Sequence, residues 1–224
     1  GCGKSMLASA IMGLVAHPGK VTGGSIQFEG QELVGMKKKD LRRIRGTGIS
    51  MIFQEPMTSL NPVLKVGHQI MESILFHTDA TKEEARAKAL EMIKLVGIPR
   101  AEEIMECYPH ELSGGMRQRV GIAMAMTFNP ELLLADEPTS ALDVTTQAQI
   151  VRQMMELRDD FHTGIIIVTH NIGVAAYMAD QLIVMQNGKV VDQGTRDEVM
   201  NHPTSDYTKK LLAAVPEMEG RRFV

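Results

Sequence analysis

Short apolar runs, each ending in polar residues, recur along the chain and are rich in β-branched side chains. Continuous runs of this length are typical of strands that are buried on both faces, as in a parallel sheet. The four clearest runs are ISMIF (49–53), LLLAD (132–136), IIIVT (165–169) and LIVMQ (182–186).

Helical patterns separate these runs. The segment 81–97 begins with Thr81 as a helix N-cap, carries acidic residues in its first turn and ends at Gly97. The segment 145–161 is amphipathic with helical periodicity. Because predicted strands and helices alternate, the pattern indicates an open α/β sheet.

Two regions depart from this alternation. Residues 23–33 alternate between apolar and polar positions and are bounded by glycines, which predicts a hairpin of a more exposed antiparallel sheet. The segment from about 55 to 118 shows helical patterns without a clear buried strand, and we therefore interpret it as a helical insertion.

Composition narrows the class of protein only slightly. The chain has 224 residues with a formal net charge of −3, so no overall basic field points to nucleic acid. Cys2 and Cys107 cannot form a disulfide framework or a metal cluster by themselves, and a reducing cytoplasm is the expected compartment. No apolar run approaches the ~20 residues that span a bilayer.

The chain opens with GCGKS, which resembles the end of a phosphate-binding loop, G-x-x-x-x-G-K-[ST]. Gly1, Cys2 and Gly3 would let backbone N–H groups surround a phosphate. Lys4 would bring a positive charge to the β- and γ-phosphates, and Ser5 would offer a hydroxyl to Mg²⁺. The first glycine of the pattern would precede the first residue, and Gly-Lys-Ser also occurs by chance at loop-to-helix junctions.

Two acidic residues stand at the end of the predicted strand 132–136. Asp136 stands at the tip of this strand, where an enzyme with a phosphate-binding loop needs an acidic residue to hold Mg²⁺. The adjacent Glu137 could polarise an attacking water as a general base. The alternative is a strand that simply ends in a solvated acidic turn.

The segment LSGGMRQR (112–119) predicts a second anion site. Ser113, Gly114 and Gly115 immediately precede a predicted helix, and a helix N-terminus with glycines favours a phosphate. One ATP does not need two such cradles in one subunit, so we expect this one to bind the γ-phosphate of a nucleotide held by another subunit. Standing alone, the motif would indicate only an N-cap in a turn.

These motifs, together with MIFQEP (51–56) and IIIVTHN (165–171), resemble the ATP-binding-cassette (ABC) ATPases over essentially the whole chain. The resemblance implies an α/β P-loop NTPase fold, with a RecA-like parallel sheet core, a helical ABC subdomain and a partial antiparallel β subdomain. The core would comprise 1–54 and 119–224, with the antiparallel piece near 21–33. Residues 55–118 would form the helical signature subdomain.

The resemblance also implies catalytic roles. Gln54 would contact Mg²⁺ or the lytic water, and Asp136 would hold Mg²⁺ together with Ser5. Glu137 would be the catalytic carboxylate. His170, directly after the run 165–169, would contact the γ-phosphate; a lone histidine at the end of a strand would otherwise be interpreted as a capping or core residue.

The signature residues Ser113, Gly114, Gly115 and Met116 would close on the ATP of the partner subunit, and Asp143 would lie in the loop that crosses the dimer interface. Met116 stands where the general family pattern has Gln, and Met cannot make a polar contact to a ribose. In the peptide-importer branch Met is familiar at this position, so it does not indicate inactivation.

MIFQEPMTSLNP (51–62) and HPTSDYTKKLLAAVP (202–216) resemble more narrowly the ATPases of oligopeptide, dipeptide or nickel importers. The implied cofactors are ATP and Mg²⁺. The implied partners are a second ATPase subunit, two membrane permease subunits and, indirectly, an extracytoplasmic substrate-binding protein, with the chain at the cytoplasmic face of the membrane and no nucleic acid bound.

Three alternatives stay open from the sequence. Nickel and glutathione importers share these motifs, a soluble ABC protein of DNA repair or translation is a further class, and a degenerate cassette could bind nucleotide without hydrolysing it. The sequence does not distinguish nickel or glutathione importers from peptide importers. The soluble class typically has coiled-coil or zinc insertions, which are not visible here, and the catalytic residues argue against degeneration. The chain begins without Met, inside the expected phosphate loop, so we expect an N-terminally truncated cassette.

Overall fold

The fold is described by a computed structural model that covers residues 2–54 and 59–214. Its helices are α1 (Lys4–Ile11), α2 (Lys38–Ile44), α3 (Val66–His77), α4 (Lys82–Leu95), α5 (Ala101–Glu106), α6 (Gly114–Met126), α7 (Val144–Phe161), α8 (Ile172–Met178), α9 (Arg196–Asn201) and α10 (Asp206–Ala213). Its strands are β1 (Gln27–Phe28), β2 (Gln31–Glu32), β3 (Ile49–Ile52), β4 (Leu132–Asp136), β5 (Gly164–Val168), β6 (Gln181–Gln186) and β7 (Lys189–Thr195).

The chain divides into two compact units, residues 35–166 and residues 1–34 with 167–224. The division differs from the predicted boundaries of a core and a helical subdomain at 55–118, and those boundaries remain a prediction. Within 35–166, the predicted insertion of 55–118 contains helices α3 to α5, a short 3-10 turn and the start of α6, which continues beyond it to Met126.

A parallel pair of strands forms the centre of unit 35–166. β3 lies beside β4 with Ile49 opposite Leu132 and Ile52 opposite Ala135, and β5 follows β4 in the order of the sheet. The side chains of β3 and β4 are almost entirely buried, which explains why their sequences are mainly apolar. Helix α6 packs against β3, and α4 packs against α3, α5 and α6.

The predicted helices and most predicted strands are confirmed within two residues at each end. Helix α4 begins after Thr81, whose hydroxyl accepts a hydrogen bond from the N–H of Glu84, while the Glu84 carboxylate accepts one from the N–H of Thr81. This reciprocal capping box satisfies donors that the first turn of a helix leaves unpaired. The hairpin predicted within 23–33 is the antiparallel pair β1–β2.

The prediction of a buried parallel strand at 182–186 is wrong. β6 pairs antiparallel with β7, and none of its side chains is buried; they are exposed or half-buried. The reason is the connection, because Asn187 and Gly188 both adopt positive φ (49° and 77°). An Asn-Gly pair in this conformation turns the chain directly back on itself and so produces a hairpin.

Asp192 attaches the C-terminal helix to this hairpin. It lies on β7 with 7% of its surface exposed, and its carboxylate accepts hydrogen bonds from the N–H groups of Thr204 (2.9 Å) and Ser205 (3.1 Å) and from the Thr204 hydroxyl. The bond from the Ser205 N–H is the largest cause that lowers the pKa of Asp192. Because Ser205 is the N-cap of α10, the carboxylate fixes where that helix begins.

We expect Asp192→Asn to lower the midpoint of thermal unfolding at pH 7, because an amide accepts these backbone donors less strongly than a carboxylate. A lowered carboxyl pKa stabilises the fold above the unfolded-state pKa of about 3.9, and the contribution is lost as the pH falls through the folded-state value. The difference between the two proteins should therefore shrink in acid. Circular dichroism melts from pH 7 to pH 3 measure it.

Asp79→Asn is the matched control, because Asp79 is exposed in the loop between α3 and α4. Its melting curve should follow that of the parent at every pH. A constant difference between Asp192→Asn and the parent over the whole pH range would contradict the role assigned to the carboxylate.

Candidate functional site

The predicted phosphate loop leads directly into helix α1. Gly1 lies outside the described residues, whereas Cys2, Gly3, Lys4 and Ser5 are placed. Gly3 is the N-cap of α1 with φ 93°, a left-handed conformation that glycine adopts without a steric penalty. The N-terminus of α1, beginning at Lys4, presents backbone N–H groups without intrahelical partners, as an anion site requires.

The turn between β6 and β7 supports this loop. The N–H of Gly188 donates to the carbonyl of Cys2 at 3.1 Å. A Cβ atom added to Gly3 would lie 3.7 Å from the Cα of Gly188, an ordinary contact. The glycine at position 3 is therefore required by its backbone conformation and not by lack of space.

Lys4 is held beside Cys2. Its ammonium donates to the Sγ of Cys2 at 3.2 Å, and this hydrogen bond is the main cause that lowers the pKa of the thiol. Lys4 also lines a cavity of about 150 Å³ together with His170. The predicted phosphate lysine and the predicted γ-phosphate histidine thus share one cavity, whose remaining walls are largely apolar side chains of β6, α9 and α10.

His170 follows β5 at the point where α8 begins. Asn171 is the N-cap of α8, and its side-chain oxygen accepts a hydrogen bond from the N–H of Val174 at 3.2 Å. The N–H of Asn171 in turn donates to the Thr169 hydroxyl at 3.0 Å. These bonds on both sides fix the backbone that carries the imidazole.

Gln54 and Asp136 lie at the same edge of the parallel sheet. Asp136 ends β4 and is 5% exposed, and Gln54 is exposed two residues beyond β3. Because β3 and β4 are parallel with Ile52 opposite Ala135, their carboxyl ends meet at one edge. In residues 2–54 and 59–214, no group of three or more His, Cys, Asp or Glu could hold a metal. The oxygen donors present fit Mg²⁺, which often takes only one or two carboxylates and completes its shell with phosphate and water.

Glu137 has a strained backbone. Its φ is 50°, which is uncommon outside glycine, and its carbonyl accepts a hydrogen bond from the N–H of Ser140 at 3.2 Å. Such conformations persist where the surrounding structure fixes them, and they cluster at functional sites. The half-buried carboxyl group directly after the buried Asp136 is well placed for the predicted general base.

The signature segment is capped at the start of α6. The Ser113 hydroxyl accepts a hydrogen bond from the N–H of Met116 at 3.3 Å, and Gly114 and Gly115 open the helix. The guanidinium of Arg117 donates to the carbonyl of Leu112 at 2.7 Å and so holds the residue before the cap.

Asp143 caps the next helix, α7. One carboxylate oxygen accepts a hydrogen bond from the N–H of Thr146 (2.9 Å) and the other accepts one from its hydroxyl (2.7 Å). The bond from the Thr146 hydroxyl is the largest cause that lowers the pKa of Asp143. The side chain predicted to act at a dimer interface is therefore also a structural cap within its own subunit.

The capped starts of α6 and α7 border one open pocket of about 330 Å³ in unit 35–166. Its predicted members are Ser113, Gly114, Gly115, Met116 and Asp143. Thr146 and Gln149 also line it, although neither belongs to one of the predicted motifs. Asp is a favourable N-cap residue, and an N-cap side chain accepts from the backbone N–H two or three positions later, so Asp143 was the available signal for Thr146.

The chain is similar to known proteins over the segments that carry these motifs. The family model described as ABC transporter matches residues 1–140. The chain is 50% identical over 221 residues to the oligopeptide transport ATP-binding protein AppD of Bacillus subtilis, covering 98% of this chain and 67% of the relative. It is 50% identical over 220 residues to the corresponding OppD of Haemophilus influenzae, covering 98% and 68%.

Further matches agree. The dipeptide transport ATP-binding protein DppD of Haemophilus influenzae is 47% identical over 222 residues, covering 99% of this chain and 67% of the relative. A solved dimeric structure of the ATP-binding cassette MJ0796 in a post-hydrolysis state, bound to ADP and Pi, superposes with a TM-score of 0.76 at 29% identity. That match covers 87% of this chain and 81% of the other.

These findings confirm the resemblance and the fold class that the motifs predicted. They do not test the individual site residues, whose roles remain predictions. Within the part of the chain that the structure describes, none of the helices has the length and apolar character needed to cross a membrane.

We expect Lys4→Met to raise the pKa of the Cys2 thiol, because the substitution removes the hydrogen bond that lowers it. Since the thiolate is the reactive form, alkylation of Cys2 at pH 7 should slow and its pH profile should move to higher pH. Iodoacetamide labelling followed by peptide mass spectrometry measures both. Cys107, whose pKa burial raises, is the internal reference, and an unmoved Cys2 profile would contradict the contact.

Proposed function

Because the chain belongs to the ABC transporter family, we propose that it is the ATP-binding and ATP-hydrolysing subunit of an importer for oligopeptides or dipeptides. The observation that carries this proposal is the pocket at the starts of α6 and α7. It offers a helix N-terminus with two glycines but has no Lys or Arg among its lining residues, which fits a phosphate delivered by a second subunit. The relatives named above are described as oligopeptide and dipeptide transport proteins, which supports the substrate class.

The residues near Lys4 would bind the nucleotide held by the chain itself. The N–H groups at the start of α1 and the Lys4 ammonium would hold the phosphates, with Gly1, Cys2 and Gly3 shaping the loop. His170, in the same cavity as Lys4, would contact the γ-phosphate. The Lys4 ammonium and the N–H groups of α1 would then supply positive charge and hydrogen-bond donors where negative charge develops during phosphoryl transfer.

Ser5, Gln54 and Asp136 would hold Mg²⁺, which when bound supplies positive charge against the phosphate oxygens. Glu137 would accept the proton of the attacking water as general base. Glu137 directly follows the last residue of β4, and its positive φ of 50° sets its backbone there. The Asp136 carboxyl group, one residue earlier, is buried at the end of β4.

Two such subunits would enclose two nucleotides, each between the Lys4 site of one subunit and the signature pocket of the other. Closure of the pair would then change access in two permease subunits, with the chain peripheral at the cytoplasmic face of the membrane. A substrate-binding protein on the opposite side would act only through the permeases. The second ATPase is either a copy of this chain or a related subunit.

The segment that begins at residue 55 would receive a helix of a permease. Residues 55–58 lie outside the described residues, and the part that follows carries Val63 with 74% of its surface exposed. Phe76, at the other end of α3, is 73% exposed. The exposed apolar side chain of Val63 within this segment is consistent with a protein contact there, and Phe76 would extend the apolar surface to the far end of α3.

We expect Glu137→Gln to lower the ATP turnover rate by roughly 10²–10⁴-fold, because general-base catalysis contributes about that much. ATP affinity should persist, and the closed pair of subunits should accumulate. Turnover by phosphate release and pairing by size-exclusion chromatography with ATP measure these outcomes. Glu156→Gln, at an exposed position of α7, is the control, and near-normal turnover in Glu137→Gln would refute the assignment.

We expect Ser113→Arg to block closure, because an arginine at the exposed mouth of the signature pocket would occupy the space meant for the phosphate. ATP binding by the separate subunit should be unchanged, while ATP-dependent pairing and turnover are lost. Fluorescent-nucleotide titration and light scattering separate the two. Ser113→Ala, which removes only the cap, should impair pairing less, and loss of nucleotide binding in Ser113→Arg would contradict a site acting between subunits.

A further inference from the structure

Gly115 of α6 lies directly against Thr146 of α7. A Cβ atom added to Gly115 would lie 2.7 Å from the Cγ2 methyl of Thr146, a separation that real Cβ atoms essentially never show. Gly114, one residue earlier, would meet its nearest neighbour, a methyl of Leu142, at an ordinary 3.5 Å. Of the two signature glycines, Gly115 must therefore be glycine because of packing inside the subunit, whereas Gly114 has room for a Cβ atom.

The Thr146 methyl cannot rotate away without a cost. The hydroxyl on the same carbon donates to Asp143 at 2.7 Å, and the N–H of Thr146 donates to the other oxygen of that carboxylate at 2.9 Å. A β-branched side chain has few χ1 alternatives in a helix. Turning the methyl away from Gly115 would therefore break the hydroxyl bond that caps α7.

Helix α6 is also restrained one turn further along. The guanidinium of Arg119 donates to the carbonyl of Val96 (2.9 Å) and to the side-chain oxygen of Gln153 on α7 (2.9 Å). It also donates to Gln149, at 3.3 Å. A shift of α6 away from α7 would stretch these bonds, so the clash at Gly115 cannot be relieved cheaply by moving the helix.

We propose that Asp143 and Thr146 position the signature: the capped Thr146 methyl sets the distance between the starts of α6 and α7, and Gly115 is glycine because of this contact within the subunit. Thr146 is accordingly a positioning residue and not a phosphate ligand. The proposal rests on the proposed function of the signature pocket, because the aim of the N–H groups of α6 matters only if a phosphate enters there.

The test is a rescue experiment on the intact ATPase. Gly115→Ala should reduce the turnover rate strongly, by about 10²-fold if the helix start is displaced by an ångström. Adding Thr146→Ser removes Cγ2 and retains the hydroxyl for Asp143, so the double variant should regain most of the lost turnover. Thr145→Ser removes the same methyl from the exposed neighbouring residue, and adding it to Gly115→Ala should restore nothing.

Two further measurements separate positioning from general stability. The loss in Gly115→Ala and its rescue should appear in kcat and in ATP-dependent pairing, with fluorescent-nucleotide affinity at the Lys4 site unchanged. The midpoint of thermal unfolding should fall in Gly115→Ala and recover in Gly115→Ala/Thr146→Ser. If Gly115→Ala does not fold, a folded double variant Gly115→Ala/Thr146→Ser supports the contact.

The proposal is overturned if the double variant is as inactive, or as unstable, as Gly115→Ala, because the glycine would then be needed for the approach of the phosphate or for the helix itself. It is also overturned if Thr145→Ser rescues equally well. Should the parent protein itself show no ATPase activity, the proposed function fails, while the recovery of the unfolding midpoint still decides whether the Gly115–Thr146 contact exists.

Discussion

The parallel pairing of β3 with β4 is the constraint on which the acidic part of the site depends. With Ile52 opposite Ala135, the sheet brings Gln54 and Asp136 to one edge and leaves Glu137 just beyond it. A shift of one residue would turn every buried side chain of the strand to the other face. Because both faces of these strands are buried, apolar content alone does not set the register, but the register that the sheet adopts places the oxygen donors.

Two different constructions expose N–H groups at helix starts in this molecule. At α1, Gly3 is the N-cap and has no side chain to accept a bond from the helix. At α6, the Ser113 oxygen accepts the N–H of Met116, and the N–H groups of the two glycines before Met116 remain at the helix start. Both constructions leave donors directed outward, but the second also stabilises the helix by side-chain capping. This difference suits α6, because its pocket is lined without a lysine and must be held open by the fold itself.

The sequence predicted those features that depend on neighbours along the chain. The strand 132–136 was placed without error because its apolar run is bounded by polar residues, and Thr81 marked the start of α4 by a local capping pattern. The orientation of 182–186 was wrong because an apolar run does not tell parallel from antiparallel pairing. The Asn187-Gly188 turn held that information, and its positive φ values decide it.

Contacts between distant segments could not be predicted in this way. Nothing in the local pattern around Gly115 indicates that Thr146 lies against it, and nothing around Cys2 indicates that Gly188 donates to its carbonyl. Both contacts join elements that are far apart in sequence and are set by the packing of helices and turns. The motifs predict which residues act, whereas the packing explains how Cys2 and Gly115 are held.

Gly3 and Gly115 look equivalent in the sequence, since each belongs to a glycine-containing anion motif, but they are glycine for different physical reasons. Gly3 has room for a side chain and a φ of 93° that disfavours one, so a substitution there strains the backbone locally. Gly115 has an ordinary helical φ and no room, so a substitution there pushes α6 against α7. The strain at Gly3 can remain within the loop, whereas the displacement at Gly115 is carried along a rigid helix to Arg119 and its bonds with Gln153. A side chain at Gly115 therefore disturbs the relation between two helices, and it does so before any nucleotide arrives.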